Sequence, residues 1–460
     1  MRYYLLNPFI GRVAAVLLLD GVAFALGAAL AWWYLAPPFD PVDYRSAMAL
    51  GGVGCLVSLY YCDAYTPTVL CSVRRTLPVL VCATGISFVL ASFGGFAFST
   101  TAKTGPVISH MAGFYFSLLL AGRLMFRLVS SSERFTQRVL VIGASELGSR
   151  VADLLRERPN LGYELVGFLS DDADYSFAGA QLSGVPILGQ VDRVEKVVDE
   201  LRVSRIVVAS KSRDEHFPAE ALLRWKLAGV PVESGVSFFE RVSGKIDLQG
   251  LRASYLIFSD GFHVGRAGEA FIRLIDVTGA AVMLLLASPA LGLCAAAIRF
   301  ESPGPIFYRQ VRVGQGGRQF LLVKLRSMRE DAEQSTGPVF ANQHDARVTL
   351  VGRFLRKSRL DEVPQLWNVL KGEMSLVGPR PERPEFVEMI SDHYPYFRLR
   401  SEVKPGVTGW AQVRYSYVNE MDGFLEKLSY DLHYMKYRSV GMNLVVLWQT
   451  IKTVVLFRGL

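Results

Sequence analysis

The chain is poor in cysteine. Its 460 residues hold five, Cys55, Cys62, Cys71, Cys82 and Cys294, in or near apolar segments, and none forms a Cys-x-x-Cys pair. A disulfide framework and a cysteine-based metal site are therefore not expected. Charge is also sparse, with Asp, Glu, Lys and Arg making up 20% of the residues. The balance is basic, net +8, yet no RNA- or DNA-binding motif accompanies it. The surplus fits anionic lipid headgroups and a charged substrate better than nucleic acid. The start does not read as a cleaved leader: its apolar run is long, contains Asp20 and lacks a clear small-residue cleavage site.

Hydrophobic residues are abundant, at 51%, which points to a membrane protein. The length suggests two or three domains. Residues 13–35, 47–62, 77–99 and 107–124 are apolar and near the ~20 residues a spanning helix needs. They predict a four-span helical region over residues 1–130. Arg2 and Arg12 precede the first run, Arg74 and Arg75 the third, and Arg123, Arg127, Arg134 and Arg138 surround the end of the fourth. The positive-inside rule then places the N-terminus and everything after residue 124 in the cytoplasm. Asp20 is expected to find a polar partner between helices, because a lone intramembrane carboxylate is costly.

Residues 131–262 change character. QRVLVI reads as a strand, GASELG as a turn into a helix, and YELVGFLSDD as a second strand. Helical and strand patterns alternate onward to residue 233, which predicts a doubly wound, Rossmann-like α/β domain. Gly143 and Gly148 hold the outer positions of a dinucleotide fingerprint and are candidates for contacting a nucleotide. Ser145 stands where the middle glycine should let a pyrophosphate approach. No Tyr-x-x-x-Lys pair follows. Both absences argue against a nucleotide-sugar oxidoreductase, one rival function. A non-catalytic membrane scaffold is the other.

Residues 277–298 form a fifth apolar run. Ser288 and Pro289 lie near its middle, where proline removes a helical hydrogen bond. Arg273 and Arg299 flank it, so charge bias puts both ends on one side. A re-entrant helix-break-helix is expected. Beyond it, IFYRQVRVGQGGRQFLLVKLRSM suggests a hairpin around Gly314 and Gly317. Lys324 and Arg326 alternate with apolar neighbours, which predicts one shared face. Asp345, Arg347 and Thr349 alternate too. Arg353 and Arg356, three apart, share a helix face. Any of these could be an ordinary solvated face.

Residues 358–381, SRLDEVPQLWNVLKGEMSLVGPRP, dominate the C-terminal half. Asp361 and Glu362 are adjacent, with Arg353, Arg356, Lys357 and Arg359 upstream and Arg380 downstream. Such a pair at a helix start can be no more than a favourable dipole interaction. Among these cations it also suits chemistry on a phosphate: one carboxylate attacks phosphorus or holds a divalent cation, and guanidinium groups neutralise oxygens.

These residues, with HDARVTLVGRFLRKSRLDEVPQ, KLRSM and KPGVTGWAQV, closely resemble the bacterial polyprenyl-phosphate sugar-1-phosphate transferases, which start exopolysaccharide and O-antigen repeat units. The resemblance is strong from about residue 272 onward and implies an α-rich α+β catalytic domain over residues 263–460. It implies Asp361 as nucleophile toward a UDP-sugar, UDP-glucose or UDP-galactose, with undecaprenyl phosphate as acceptor. Glu362 would ligate Mg²⁺ or assist proton transfer. Lys324, Arg326, Arg347, Arg353, Arg356, Arg380 and Gln412 would bind substrate, Arg380 at phosphate or uridine. Asp431 would be a further active-site acid, whereas Asn443 stands where the family often has Asp. The inner membrane, with the catalytic domain on its cytoplasmic face, is the implied location. The long form makes a homodimer an expectation, and the spans would serve as anchor, dimer interface or docking site for later enzymes. Residues 444–457 are too short to span and read as a helix at the lipid interface or on the core.

Overall fold

A computed structural model describes residues 8–35, 41–65, 67–70, 73–98, 105–130, 136–171, 180–210, 217–249, 251, 253–329, 347–415 and 421–455. Arg2, Cys71, Arg134, Asp345 and residues 456–457 lie outside them, as do the side chains of Arg12 and Arg75. Chain packing divides the protein into Met1–Arg241 and Val242–Leu460.

The first unit begins with helices α1 (Pro8–Leu35), α2 (Pro41–Tyr61), α3 (Val73–Phe98) and α4 (Gly105–Ser130). The windows Ala15–Leu35, Thr76–Phe93 and Pro106–Leu128 are long and apolar enough to cross a membrane. The apolar stretch of α2 is shorter, Met48–Tyr61. Phe24, Ala28, Leu59, Ala83, Met111 and Tyr115 pack the helices together. Asp20 is buried among them. Both guanidinium Nη atoms of Arg123 donate to its carboxylate at 2.8 Å, and the Tyr65 hydroxyl donates at 2.9 Å. The polar partner expected for Asp20 is therefore Arg123, with Tyr65 beside it.

A six-stranded sheet follows. Its strands are β1 (Gln137–Ile142), β2 (Tyr163–Ser170), β3 (Gln181–Leu182), β4 (Val185–Gln190), β5 (Arg205–Val208) and β6 (Val232–Ser234), in the order β3-β4-β2-β1-β5-β6. All neighbours pair in parallel except β3 with β4. Val139, Leu140, Val141 and Ile142 are fully buried, as a central parallel strand requires. The β3–β4 hairpin is an addition to the sequence reading. Its signal is Ser183-Gly184, both at positive φ (51° and 73°), the geometry of a tight two-residue hairpin turn.

Helix α5 (Glu146–Glu157) leaves β1 through the GASELG turn. Ser145 caps it, accepting from Gly148 N at 3.3 Å and donating to the Ala209 carbonyl at 2.7 Å. The residue that breaks the fingerprint thus ties the turn to the end of β5. Gly143 adopts φ 105° with Ser210 N only 2.5 Å from where a Cβ would be. Helices α6 (Val194–Glu200), α7 (Ala219–Leu227) and α8 (Gly235–Ser243) complete the connections.

The second unit contains α9 (Ala253–Phe258) and the 36-residue α10 (Arg266–Glu301). The expected break does not interrupt α10, which runs through Ser288 and Pro289. Pro289 has no N–H for the Leu285 carbonyl, and the Ser288 hydroxyl donates to that carbonyl at 2.8 Å instead. Towards its start, Arg273 donates to the Val369 and Leu370 carbonyls at 2.7 and 2.8 Å. Towards its end, Cys294 and Ile298 pack with Leu325 and Leu355. Between these attachments Leu285, Leu286 and Leu293 are about three-quarters exposed, at 74%, 75% and 75%.

Strands β7 (Phe307–Val313) and β8 (Gln319–Leu325) form the expected antiparallel hairpin. Helices α11 (Leu350–Ser358), α12 (Gln365–Lys371), α13 (Pro384–His393), α14 (Trp410–Arg414), α15 (Met421–Tyr437) and α16 (Val440–Val455) surround a two-stranded parallel sheet of β9 (Ser375–Val377) and β10 (Gly406–Thr408). The core contains Leu322, Val369, Leu376, Phe397, Trp410 and Tyr434. Helix α16 buries Met442 and Val446 there and exposes Leu444, Val445, Trp448 and Ile451.

Candidate active site

Asp361 and Glu362 sit in a single 3-10 turn, Leu360–Glu362, between α11 and α12. Three devices fix α11. Thr349 caps it by accepting from Gly352 N at 2.9 Å. Glu301, the last residue of α10, accepts from Leu350 N at 2.6 Å and Val351 N at 3.2 Å. Gly352 permits contact with β8's extension, since a Cβ there would lie 2.0 Å from the Ser327 carbonyl oxygen. Arg359 then takes a left-handed conformation, φ 59°, and turns the chain into the carboxylates.

The two carboxylates differ. Glu362 Oε1 accepts from Arg380 Nη2 at 2.6 Å, with Lys324 Nζ at 3.6 Å and Arg359 Nη1 at 3.8 Å. Burial alone would raise its carboxyl, but Arg380, Lys324 and Arg359 hold it well below the usual carboxylate range. Asp361 is 8% exposed, and its Oδ1 is buried without a hydrogen-bond partner among the described residues. Burial and the neighbouring Glu362 charge push it up to about 6, against the pull of Lys324, Arg356 and Arg359. Burial also brings Lys324 down to about 8. The arrangement is one firmly anionic carboxylate and one under-satisfied carboxylate inside a set of four cations.

Of the residues singled out in the sequence, Lys324, Arg356, Arg380, Asp361 and Glu362 come together. Arg356 also donates to the Ser327 hydroxyl at 3.1 Å. Arg326 points elsewhere: it is buried and donates to the Pro303 and Ser302 carbonyls at 2.7 and 2.8 Å, fastening the end of α10. Strand β8 ends at Leu325, so the alternation that put Lys324 and Arg326 on one face stops there. Arg353 is solvent-exposed on α11. Arg347 lies opposite Arg329, whose N–H donates to its carbonyl at 3.1 Å. Gln412 Nε2 lies 3.4 Å from the Val407 carbonyl, and its buried Oε1 has no partner among the described residues.

The KPGVTGWAQV segment packs on the Gly378 turn. A Cβ on Gly406 would lie 2.1 Å from Gly378 N. Trp410 is core and donates to the Gly244 carbonyl at 2.8 Å. Asp431 is buried and ion-paired with Arg400 at 2.8 Å. Burial raises its carboxyl and Arg400 opposes that. Asn443 Oδ1 accepts from the Tyr434 hydroxyl at 2.8 Å.

Sequence reasoning missed Asn368, Arg312, Glu382 and Arg400. Asn368 is fully buried and stitches α12 to β8: its Nδ2 donates to the Leu321 carbonyl at 2.8 Å and to Glu373 at 2.7 Å, and its Oδ1 accepts from Val323 N at 3.2 Å. Its one available signal was a polar residue inside an apolar helical face.

A bacterial sugar transferase family model matches residues 267–457, and a CoA-binding domain model matches residues 62–217. The chain is 38% identical over 251 residues, 54% of its length and 58% of the relative's, to a UDP-N-acetylgalactosamine-undecaprenyl-phosphate N-acetylgalactosaminephosphotransferase of Aeromonas hydrophila. It is 30% identical over 356 residues, 76% of its length and 71% of the relative's, to a UDP-glucose:undecaprenyl-phosphate glucose-1-phosphate transferase of Klebsiella pneumoniae. A 131-residue segment, 28% of the chain and 73% of the relative, is 50% identical to a protein of Bacillus subtilis named as a putative undecaprenyl-phosphate N-acetylgalactosaminyl 1-phosphate transferase. The match thus spans less than two thirds of the Aeromonas protein's own length.

Proposed function

The chain belongs to the polyprenyl-phosphate sugar-1-phosphate transferase family, and from that premise we propose that it transfers a sugar-1-phosphate from a UDP-sugar to undecaprenyl phosphate, releasing UMP. The observation that carries the reading is the buried, unpartnered Oδ1 of Asp361 beside an anionic Glu362 among Lys324, Arg356, Arg359 and Arg380. A buried carboxylate oxygen without a donor is poised to bond something that arrives with the substrate.

In this reading an Asp361 oxygen attacks the sugar-linked phosphorus. The bond from that phosphorus to the bridging oxygen breaks, and UMP leaves with the electron pair. The product is an acyl phosphate carrying the sugar. An oxygen of undecaprenyl phosphate then attacks the same phosphorus, the acyl–phosphate bond breaks, and the Asp361 carboxylate is restored. Arg380 and Lys324 neutralise phosphate oxygens as charge moves between donor and acceptor. Mg²⁺ fits this carboxylate pair, because such ions commonly take one or two carboxylates plus substrate phosphates. Glu362 would hold it, and when bound it would supply charge neutralisation at the diphosphate.

Helix α10 supports a membrane placement. About 54 Å of helix at 1.5 Å per residue exceeds the ~30 Å hydrocarbon layer. Both ends attach to the same unit, and the exposed apolar middle lies between them. This supports α10 entering one leaflet and holding the site at headgroup level, where lipid phosphate and soluble nucleotide sugar meet. On that reading the second unit sits on the cytoplasmic face of the bacterial inner membrane.

The test uses membranes containing the full chain, Mg²⁺, undecaprenyl phosphate and UDP-glucose, UDP-galactose or UDP-N-acetylgalactosamine. UMP release with a lipid-linked sugar diphosphate is expected, abolished by Asp361→Asn. UDP release, or full activity of Asp361→Asn, refutes the mechanism.

A further inference from the structure

The turn that presents Arg380 is held in an unusual way. Four consecutive carbonyls, those of Pro379, Arg380, Pro381 and Glu382, each accept a hydrogen bond from outside the turn. The donors are Gly406 N at 2.9 Å, Arg400 Nη2 at 2.9 Å, Arg312 Nη1 at 3.0 Å and Val313 N at 3.0 Å. They come from β10, the 3-10 segment Pro395–Glu402 and β7. Two are backbone donors set by the fold. The other two are guanidinium groups, and both arginines are themselves anchored.

Arg400 is 7% exposed. Its Nη2 lies 2.8 Å from Asp431 Oδ2, its Nη1 lies 3.9 Å from Glu382 Oε1, and its guanidinium stacks 4.8 Å from the Phe397 ring centre. Arg312 Nη1 lies 3.6 Å from Glu382 Oε2, and Gln310 Oε1 accepts from its Nε and Nη2 at 3.0 and 2.6 Å. The chain of contact therefore runs from Asp431 through Arg400 to the main chain of Arg380, and from the Arg380 side chain to Glu362.

Resting on the transfer reading, we infer that Arg400 and Arg312 are positioning residues that hold the Arg380 turn against Glu362, and that Asp431 acts through Arg400 without touching the reacting groups. A planar fork is needed for this. Nη2 of Arg400 serves the Arg380 carbonyl and the Asp431 carboxylate while Nη1 lies toward Glu382, and a lysine ammonium, a single point donor of shorter reach, does not reproduce that geometry. A carboxylate so engaged is a buried counter-ion to Arg400.

The experiment measures UMP release by the full chain in membranes, with thermal melts of the same proteins in detergent. Arg400→Lys, Arg380→Lys, their double variant and Asp431→Asn are compared. Arg400→Lys is expected to lose about 100-fold in kcat/KM, as for a displacement near 1 Å. The loss should divide between kcat and KM as it does in Arg380→Lys. The double variant should be no worse than Arg380→Lys alone, because both act through one guanidinium. Asp431→Asn should keep activity within about tenfold, whereas loss of a group acting directly as acid or base costs ~10²–10⁴-fold. The inference is overturned by a folded Arg400→Lys with wild-type constants, by losses that multiply in the double variant, or by a thousandfold loss in a folded Asp431→Asn. Absence of UMP release by the unaltered chain overturns the transfer reading itself, and the inference with it.

Discussion

Replacing Gly352 by alanine should disable the site without touching a reacting group. The added Cβ would lie 2.0 Å from the Ser327 carbonyl oxygen and 2.7 Å from its carbon. Both are backbone atoms, and the same oxygen already accepts from Thr349 N at 3.2 Å. No side-chain rotation relieves the overlap, so α11 must retreat on the order of 1 Å. Helix α11 carries Arg356 and leads directly into Arg359, Asp361 and Glu362. A shift of that size in reacting groups costs about 100-fold in rate, and overpacking costs about 1–3 kcal/mol of stability. The melting temperature should fall by roughly 5 °C. UMP release under saturating lipid, alongside a melt in detergent, measures both. Gly441→Ala is the control, because nothing lies within 4 Å of a Cβ there. Wild-type kcat/KM in Gly352→Ala would refute the argument that α11 is registered on Ser327.

Asn368→Leu strands Val323 N, the Leu321 carbonyl and Glu373 at once, and at about 1–3 kcal/mol per buried unsatisfied group the melt should drop sharply; an unchanged melt would show that water replaces the stitch at no cost. His433 gives a pH dependence. It is buried against the Trp410 and Tyr437 rings, and burial, with the Lys436 and Arg414 charges, lowers it to about 3. The folded protein keeps it neutral while the unfolded chain protonates it near pH 6.5. Its contribution is therefore complete above pH 6.5 and is lost as pH falls toward 3, by at most about 1.4 kcal/mol per unit. His433→Phe should flatten that part of the stability–pH curve between pH 6 and 4, and an identical slope in the variant would count against the assignment.

What the sequence made legible was what depends on local pattern. Apolar runs marked the helices, alternation marked the β7–β8 hairpin, and the carboxylate pair among arginines marked the candidate site. What it hid depends on chain segments meeting at a distance. Arg400 lies in RLRSE, which reads as a solvated surface, yet its guanidinium is buried by a carboxylate 31 positions away. Arg326 was misplaced because alternation is a property of a strand and β8 ends one residue earlier. Asp431 is a candidate acid by family resemblance alone, and its sequence neighbours give no sign of its ion pair with Arg400.

Helix α10 shows the same limit and a consequence. Ser288 and Pro289 signalled a break, since a proline leaves one carbonyl unpaired. The hydroxyl one residue earlier supplies the missing donor, so the pair reads as a repair as much as an interruption. In the leaflet placement proposed above that repair would be valuable, because no water would be there to do it. The far end of this helix then does two things for the site. Glu301 caps α11, which leads to the carboxylates, and Ser302 and Pro303 accept from Arg326, two residues after Lys324 on β8. The anion-bearing turn and the lysine that faces it are thus both fastened to one helix end. Tilting that end would move Lys324 and Glu362 together and leave their 3.6 Å separation intact. Arg380 is held from β10 and Arg400 as well as from β7, and since β7 pairs with β8 it is the first two anchors that would resist the movement. The Arg380–Glu362 contact, not the carboxylate pair itself, is where a change in how α10 sits should first be felt.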